Sequence, residues 1–192
     1  MKKAVVICFL MMLALTTRAQ YKNWLDSLLH LVKTDKMTPE KEIGVYHLIT
    51  HAYSARDMKN TYLYGMKGLE LAQKAGDKKM ITTFYQYISS TYIYRASYDT
   101  AFMYQQRQMD LAIKTQHPIL LQQACFGMGN FYARQGKFAR AVENYLQALR
   151  FYDEGPYESI DLPTVLANPE KSFLLYNPQR TRILCLGNTG EC

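Results

Sequence analysis

The chain has little of what catalysis usually requires. Its 192 residues hold 16 acids against 23 lysines and arginines, and no two carboxylates stand out as a general acid/base pair. No G-x-S-x-G elbow, Walker loop or dinucleotide fingerprint occurs. "GMGN" (Gly127–Asn130) has two glycines in G-x-G order, but inside a helical pattern, which argues against a phosphate loop. The cysteines are few, Cys8, Cys125, Cys185 and Cys192, and none has the C-x-x-C spacing of a metal site. Cys125 lies on an apolar helix face and reads as a buried free thiol. Cys185 and Cys192 could pair in an oxidising compartment. No dense Lys/Arg run appears despite a net charge of +7, and nucleic-acid surfaces cluster their positive charge, so no nucleic-acid partner is expected. The apolar run "AVVICFLMMLAL" is 12 residues long, short of the ~20 that cross a bilayer as a helix.

That run reads instead as an export signal, with an uncleaved anchor as the alternative. Lys2 and Lys3 precede it, and "TRAQ" follows, with small Ala19 at a plausible cleavage point before Gln20. Residues 1–19 are therefore expected to be a signal peptide, and the chain exported, periplasmic or secreted, with no membrane span once the signal is removed. Removal would leave 192 − 19 = 173 residues and a net charge of +7 − 3 = +4.

What the chain does have is a period. Ala101 precedes Ala141 by forty residues, as Tyr92 precedes Tyr132, Ser89 precedes Gly129, Ile88 precedes Met128 and Tyr98 precedes Phe138. One step earlier, Thr61 matches Ala101, Tyr64 matches Tyr104, and "GLELA" (Gly68–Ala72) matches "QMDLA" (Gln108–Ala112). Tyr53 is out of step, 39 before Tyr92. Fixed periods of this length mark stacked repeats.

Each repeat reads as two helices. "MITTFYQYISSTYIYR" (Met80–Arg95) and "ILLQQACFGMGNFYARQ" (Ile119–Gln135) carry apolar residues at three- and four-residue steps. Short turns follow, then second helices. Gly136 suits a left-handed helix end, Pro118 a first helical turn, and "AGD" (Ala75–Asp77) a boundary between repeats. The order of small and large residues predicts that paired helices cross where Gly129 or Ser89 faces Ala141 or Ala101, with aromatics filling the flanks. One pair would be marginal, whereas a stack buries a continuous core. With 16 Tyr against 8 Phe, many rings are expected to keep a hydroxyl at the solvent edge.

These residues resemble the tetratricopeptide repeat (TPR) family. Cys125, Met128, Gly129, Tyr132, Gly136, Phe138, Ala141, Tyr145 and Ala148 occupy its signature positions in order, with Cys125 where the family often has Trp. In the preceding repeat Tyr85, Ile88, Ser89, Tyr92, Tyr98 and Ala101 fit, while Gln105 and Gln108 replace the late aromatic and alanine. In the earliest, Tyr46, Ile49 and Tyr53 fit, followed by Thr61, Gly65 and Gly68. The resemblance covers about residues 43–155 and matches the family's longer-period members. It implies an all-α fold: an αα-hairpin solenoid of about three TPR-like helix pairs. In front of it, "YKNWLDSLLHLVK" (Tyr21–Lys33), with Trp24, Leu28 and Leu31 on one face, reads as a capping helix within residues 20–37. Thr38 and Pro39 form a helix-start signal that opens the array of 38–155.

After Glu154 four of the six prolines fall in 38 residues, so 156–192 is expected to be an irregular tail. Pro169 lands on the site equivalent to Gly129, in mid-helix, where proline costs about 3 kcal/mol. Two readings stand: a repeat truncated or frame-shifted, or a natural irregular cap.

The resemblance also implies the function: a non-catalytic module for proteins or peptides, gripped in a concave groove lined by the first helix of each pair. The groove positions are His47 and His51, then Gln86, Ser90 and Tyr94, then Phe126, Asn130 and Arg134. They carry too little Lys and Asn for the family's carboxylate clamp. Asn130 is suited to a peptide backbone, and Arg134 to a carboxylate. The alternative is the extracytoplasmic sensor portion of a bacterial signalling protein, truncated before a kinase or DNA-binding part. A metal-dependent enzyme would have to start from His47 and His51, one helical turn apart, but Leu48 stands where H-E-x-x-H has Glu and catalytic zinc needs three protein ligands. No metal, cofactor or catalytic residue is therefore expected.

Overall fold

Thr38 and Pro39 start a helix as the sequence predicts: Thr38 Oγ1 accepts from the Lys41 N–H at 3.4 Å, and Pro39 takes the first helical position. A computed structural model describes residues 24–34, 36–153, 164 and 167–169. The leader, Cys185, Cys192 and most of the tail lie outside them. Helix α1 covers 24–34, in a part of the chain that ends at Lys36. From Met37 on come α2 (Pro39–Tyr53), α3 (Met58–Ala75), α4 (Lys78–Tyr94), α5 (Tyr98–Thr115), α6 (Pro118–Arg134) and α7 (Phe138–Asp153). Each packs on the next, α2 on α3 through α6 on α7, and the described residues include no strand. The architecture is an all-α solenoid of three helical hairpins.

Four residues with positive φ set the rhythm: Gly76, Ala96, Gln116 and Gly136, twenty apart. Each ends a helix and reverses the chain. After α4, the Ser97 N–H reaches the Tyr92 carbonyl and the Ala96 N–H the Ile93 carbonyl, and the same pair of bonds follows α6 through Lys137 and Gly136. This Schellman geometry requires a left-handed residue. The turn after α2 has none. Ser54 stays right-handed there, and the Asp57 N–H bonds back to the Tyr53 carbonyl at 2.9 Å. The missing left-handed residue accounts for the step of 39 between Tyr53 and Tyr92.

At the small positions, rings as well as small residues make the close contacts. Ser89 does meet Ala101, its hydroxyl donating to the Ala101 carbonyl at 3.0 Å. Gly129 lies under the Tyr145 ring: a Cβ there would stand 2.5 Å from a ring carbon. Gly68 likewise gives way to the Phe84 ring, with no room for a Cβ. A ring seated on a bare backbone buries more apolar surface than two small residues in contact, which favours this arrangement. Ile43, Leu69, Ala72, Met80 and Ile88 complete the core around Phe84.

Between the second and third hairpins this pattern inverts. Forty residues after Gly68 and Phe84 stand Gln108 and Ala124, and α5–α6 is the thinnest of the sequential interfaces. Gln105, Gln108, Gln122 and Gln123 are all buried. The Gln105 amide lies against Gly127. Neither amide atom of Gln108 or Gln122 has a hydrogen-bond partner within the described protein. Buried unsatisfied amides cost about 1–3 kcal/mol each.

Past α7 the Asn168 N–H bonds to the Thr164 carbonyl at 3.0 Å. Pro169, itself buried, follows directly, where a residue without an N–H cannot extend the helix.

Two substitutions check these assignments. Ala96→Gly relieves a left-handed alanine, worth about 1–2 kcal/mol, against a glycine entropy cost of about 0.5–1. Urea denaturation should show a gain of about 1 kcal/mol, and a loss would refute the left-handed turn. Gln108→Met keeps the volume and removes the unpaired amide, and it should stabilise by about 1–3 kcal/mol. Destabilisation would mean that this amide is satisfied.

Candidate functional site

Which face of the solenoid is concave follows from its contacts. Among the described residues the backbones of the first helices approach one another, α2 with α4 and α4 with α6, whereas those of α3 and α5, and of α5 and α7, stay farther apart. The first helices form the inner layer, on which the eight groove positions lie.

At the α2–α4 contact three of the polar groups converge. His47 and His51 sit one turn apart on α2, ring centroids 6.4 Å from each other. Tyr87, on α4, brings its hydroxyl to 2.9 Å from His51 Nδ1 and 3.4 Å from His47 Nε2. A phenol has one hydrogen, so Tyr87 can donate to one of these ring nitrogens while its oxygen accepts from the other. His47 Nδ1 is buried and unpartnered. Phe84 meets the His47 ring edge-on at 6.1 Å.

His47 is thus 4% exposed and turned into the protein, not toward an open groove as expected, because the Phe84 and Tyr87 rings cover it. His51 is exposed. Burial drives the His47 pKa from 6.5 down to about 3, with the neighbouring His51 adding to the effect. Burial also raises the Tyr87 phenol well above its ordinary 10.0. Both groups are uncharged at neutral pH and serve as hydrogen-bonding partners.

The other groove positions spread along α4 and α6. Gln86 is half-buried; Ser90 is exposed, its hydroxyl donating to the Gln86 carbonyl at 2.9 Å. Tyr94, at the end of α4, is 74% exposed. Phe126 is half-buried, 5.7 Å from the Tyr145 ring. Asn130 Oδ1 accepts the Tyr145 hydroxyl at 2.8 Å, so one of the groups expected to meet a peptide backbone is occupied internally. Arg134 is exposed. Cys125 is free and buried, and burial lifts its thiol to about 11, which keeps the thiolate nucleophile unpopulated at neutral pH.

Tyr87 is the residue that the sequence reading missed. It stands one place after Gln86 and is marked by no repeat position; the helix-to-helix contact alone brings it to the histidines. Among the described residues no three His, Cys, Asp or Glu side chains come together as metal ligands. No helix there is long and apolar enough to cross a membrane. No protein-family model and no curated protein matches the chain.

The histidine makes a pH signature. Its folded pKa lies below its unfolded one, so the folded state takes up fewer protons between pH 6.5 and about 3. The stabilisation is present in full above pH 6.5 and is withdrawn progressively as pH falls toward 3. Urea unfolding at pH 7 and pH 4 should show the wild type losing about 2–3 kcal/mol more than His47→Gln. Equal losses in the two proteins would mean that His47 titrates freely.

Proposed function

We propose that this chain is a non-catalytic binding module of the tetratricopeptide type, which holds an extended peptide or protein segment along α2, α4 and α6. The observation that carries the reading is the inner layer itself. The helices that contact one another across repeats also carry exposed or half-buried side chains at matching positions: His51, Ser90 and Gln86, and the pair Tyr94 and Arg134 forty residues apart. A large aromatic 74% exposed on that layer is the type of side chain that dominates binding energy when a partner covers it. Tyr87 holds His51 by a hydrogen bond, which lowers the ordering cost of any contact that His51 makes. Export of the module, with residues 1–19 as its signal, belongs to the same reading and rests on the leader's charge and apolar pattern.

A peptide array and photo-cross-linking test it. With a benzophenone amino acid in place of Ser90, array-selected extended peptides should cross-link. With the same probe in place of exposed Met103 on α5, outside the inner layer, they should not. Tyr94→Ala should weaken binding about tenfold, the effect of one modest hot spot. Equal cross-linking at both positions would overturn the groove assignment.

A further inference from the structure

A second site, away from the inner-layer positions, lies where the α4–α5 and α6–α7 turns come together. It is a pocket of about 230 Å³, below the roughly 300 Å³ at which drug-sized sites begin, and so on the scale of one amino acid. Its floor is aromatic. Phe131, 4% exposed, has the rings of Tyr98, Phe102 and Tyr132 around it, with centroids at 6.2, 5.5 and 5.4 Å. Asp99, Lys137 and Arg140, all exposed, also line it.

The charges are what make this pocket informative. Opposite charges sharing one small pocket could pair, but Asp99, Lys137 and Arg140 do not pair with one another. Arg140 is laid over the Tyr132 ring at 5.6 Å, and Lys137 donates to the uncharged Gln135 Oε1 at 2.6 Å. The Asp99 carboxylate makes no ion pair within 4.0 Å. An acidic and a basic pole thus stand apart over an aromatic floor.

The repeat supplies an internal control. Forty residues earlier the equivalent positions are Lys59 for Asp99, Thr91 for Phe131, Ser97 for Lys137 and Thr100 for Arg140. There Arg95 covers the Tyr62 ring at 5.8 Å, and Tyr92 donates to the Tyr62 hydroxyl at 3.4 Å. The preceding hairpin closes its joint with Thr91 in place of the Phe131 ring and without these three charges. These four changes coincide in one pocket.

We propose that this pocket binds a free α-amino acid with an aromatic side chain. Its ammonium meets Asp99, its carboxylate meets Arg140 and Lys137, and its ring lies on Phe131 and the neighbouring rings. Arg140 offers a planar donor pair to a carboxylate, and aromatic rings prefer offset or edge-on contact with the floor. The site is independent of the peptide groove, and its test uses no peptide.

Calorimetric titration of the full chain with L-phenylalanine should show saturable binding. Phenylpropionate, which lacks the ammonium, and phenethylamine, which lacks the carboxylate, should each bind at least tenfold more weakly. Asp99→Asn and Arg140→Gln alter exposed side chains, so both proteins should fold, as circular dichroism can verify, and each should lose at least tenfold in affinity. Absence of saturable binding at millimolar concentrations would overturn the proposal. So would equal affinity for phenylpropionate, or an Asp99→Asn protein that binds as the wild type does, since each would reduce the site to an anion contact.

Discussion

Where the Tyr145 ring lies on the bare backbone of Gly129, and the Phe84 ring on that of Gly68, two helices come close enough to share one layer of core. The rest of the solenoid depends on this contact. A side chain on either glycine would lever the helices apart, and the residues that close around them, from Ile43 to Ile88 in one core and from Cys125 to Ala148 in another, would lose their partners. Close packing makes such a contact unforgiving, because neighbours in a dense core have little room to shift. The Tyr145 hydroxyl also reaches Asn130, so the ring that joins the third hairpin fixes a side chain of the inner layer as well.

Stability is spread unevenly along the stack. The first two hairpins meet through Phe84 and an apolar cluster. The second and third meet across a thinner interface, where small apolar clusters, Ala112 with Leu120 and Ala124 and Ala101 with Met128 and Phe131, stand beside buried amides such as Gln105 against Gly127. Amides without partners inside regain hydrogen bonds when they reach water, so this seam is where local opening is cheapest. The aromatic pocket lies at the same junction of hairpins, which places a candidate small-molecule site beside the least cohesive interface of the array.

The inner layer combines fixed and available groups. Tyr87 ties His47 and His51 into one hydrogen-bonded set, while Ser90, Tyr94 and Arg134 remain exposed. A surface of this kind presents shape, ring faces and donors with few charges, which suits binding of a neutral extended segment better than capture of an acidic one.

The hairpin order, the boundaries at Thr38, Gly76 and Gly136, and the equivalence of Tyr92 with Tyr132 were all legible in the sequence. Each depends on local chemistry: a cap, a glycine able to turn left-handed, a helical spacing repeated every forty residues. Even the misfit of 39 was visible there, although its cause, a turn without a left-handed residue, was not. The partner of each small residue was decided by tertiary structure. Gly129 met the Tyr145 ring, His47 went inside under Phe84 and Tyr87, and Asn130 was taken by a tyrosine sixteen places beyond Gly129. These outcomes depend on how far one helix slides and rotates against the next, a matter of fitting rings into gaps that no single helix specifies. The sequence by itself therefore determined the repeat and where the chain turns, because those are properties of a few neighbouring residues. The fold alone decided which side chains of the inner layer remain available, because burial is a property of the neighbours that packing brings.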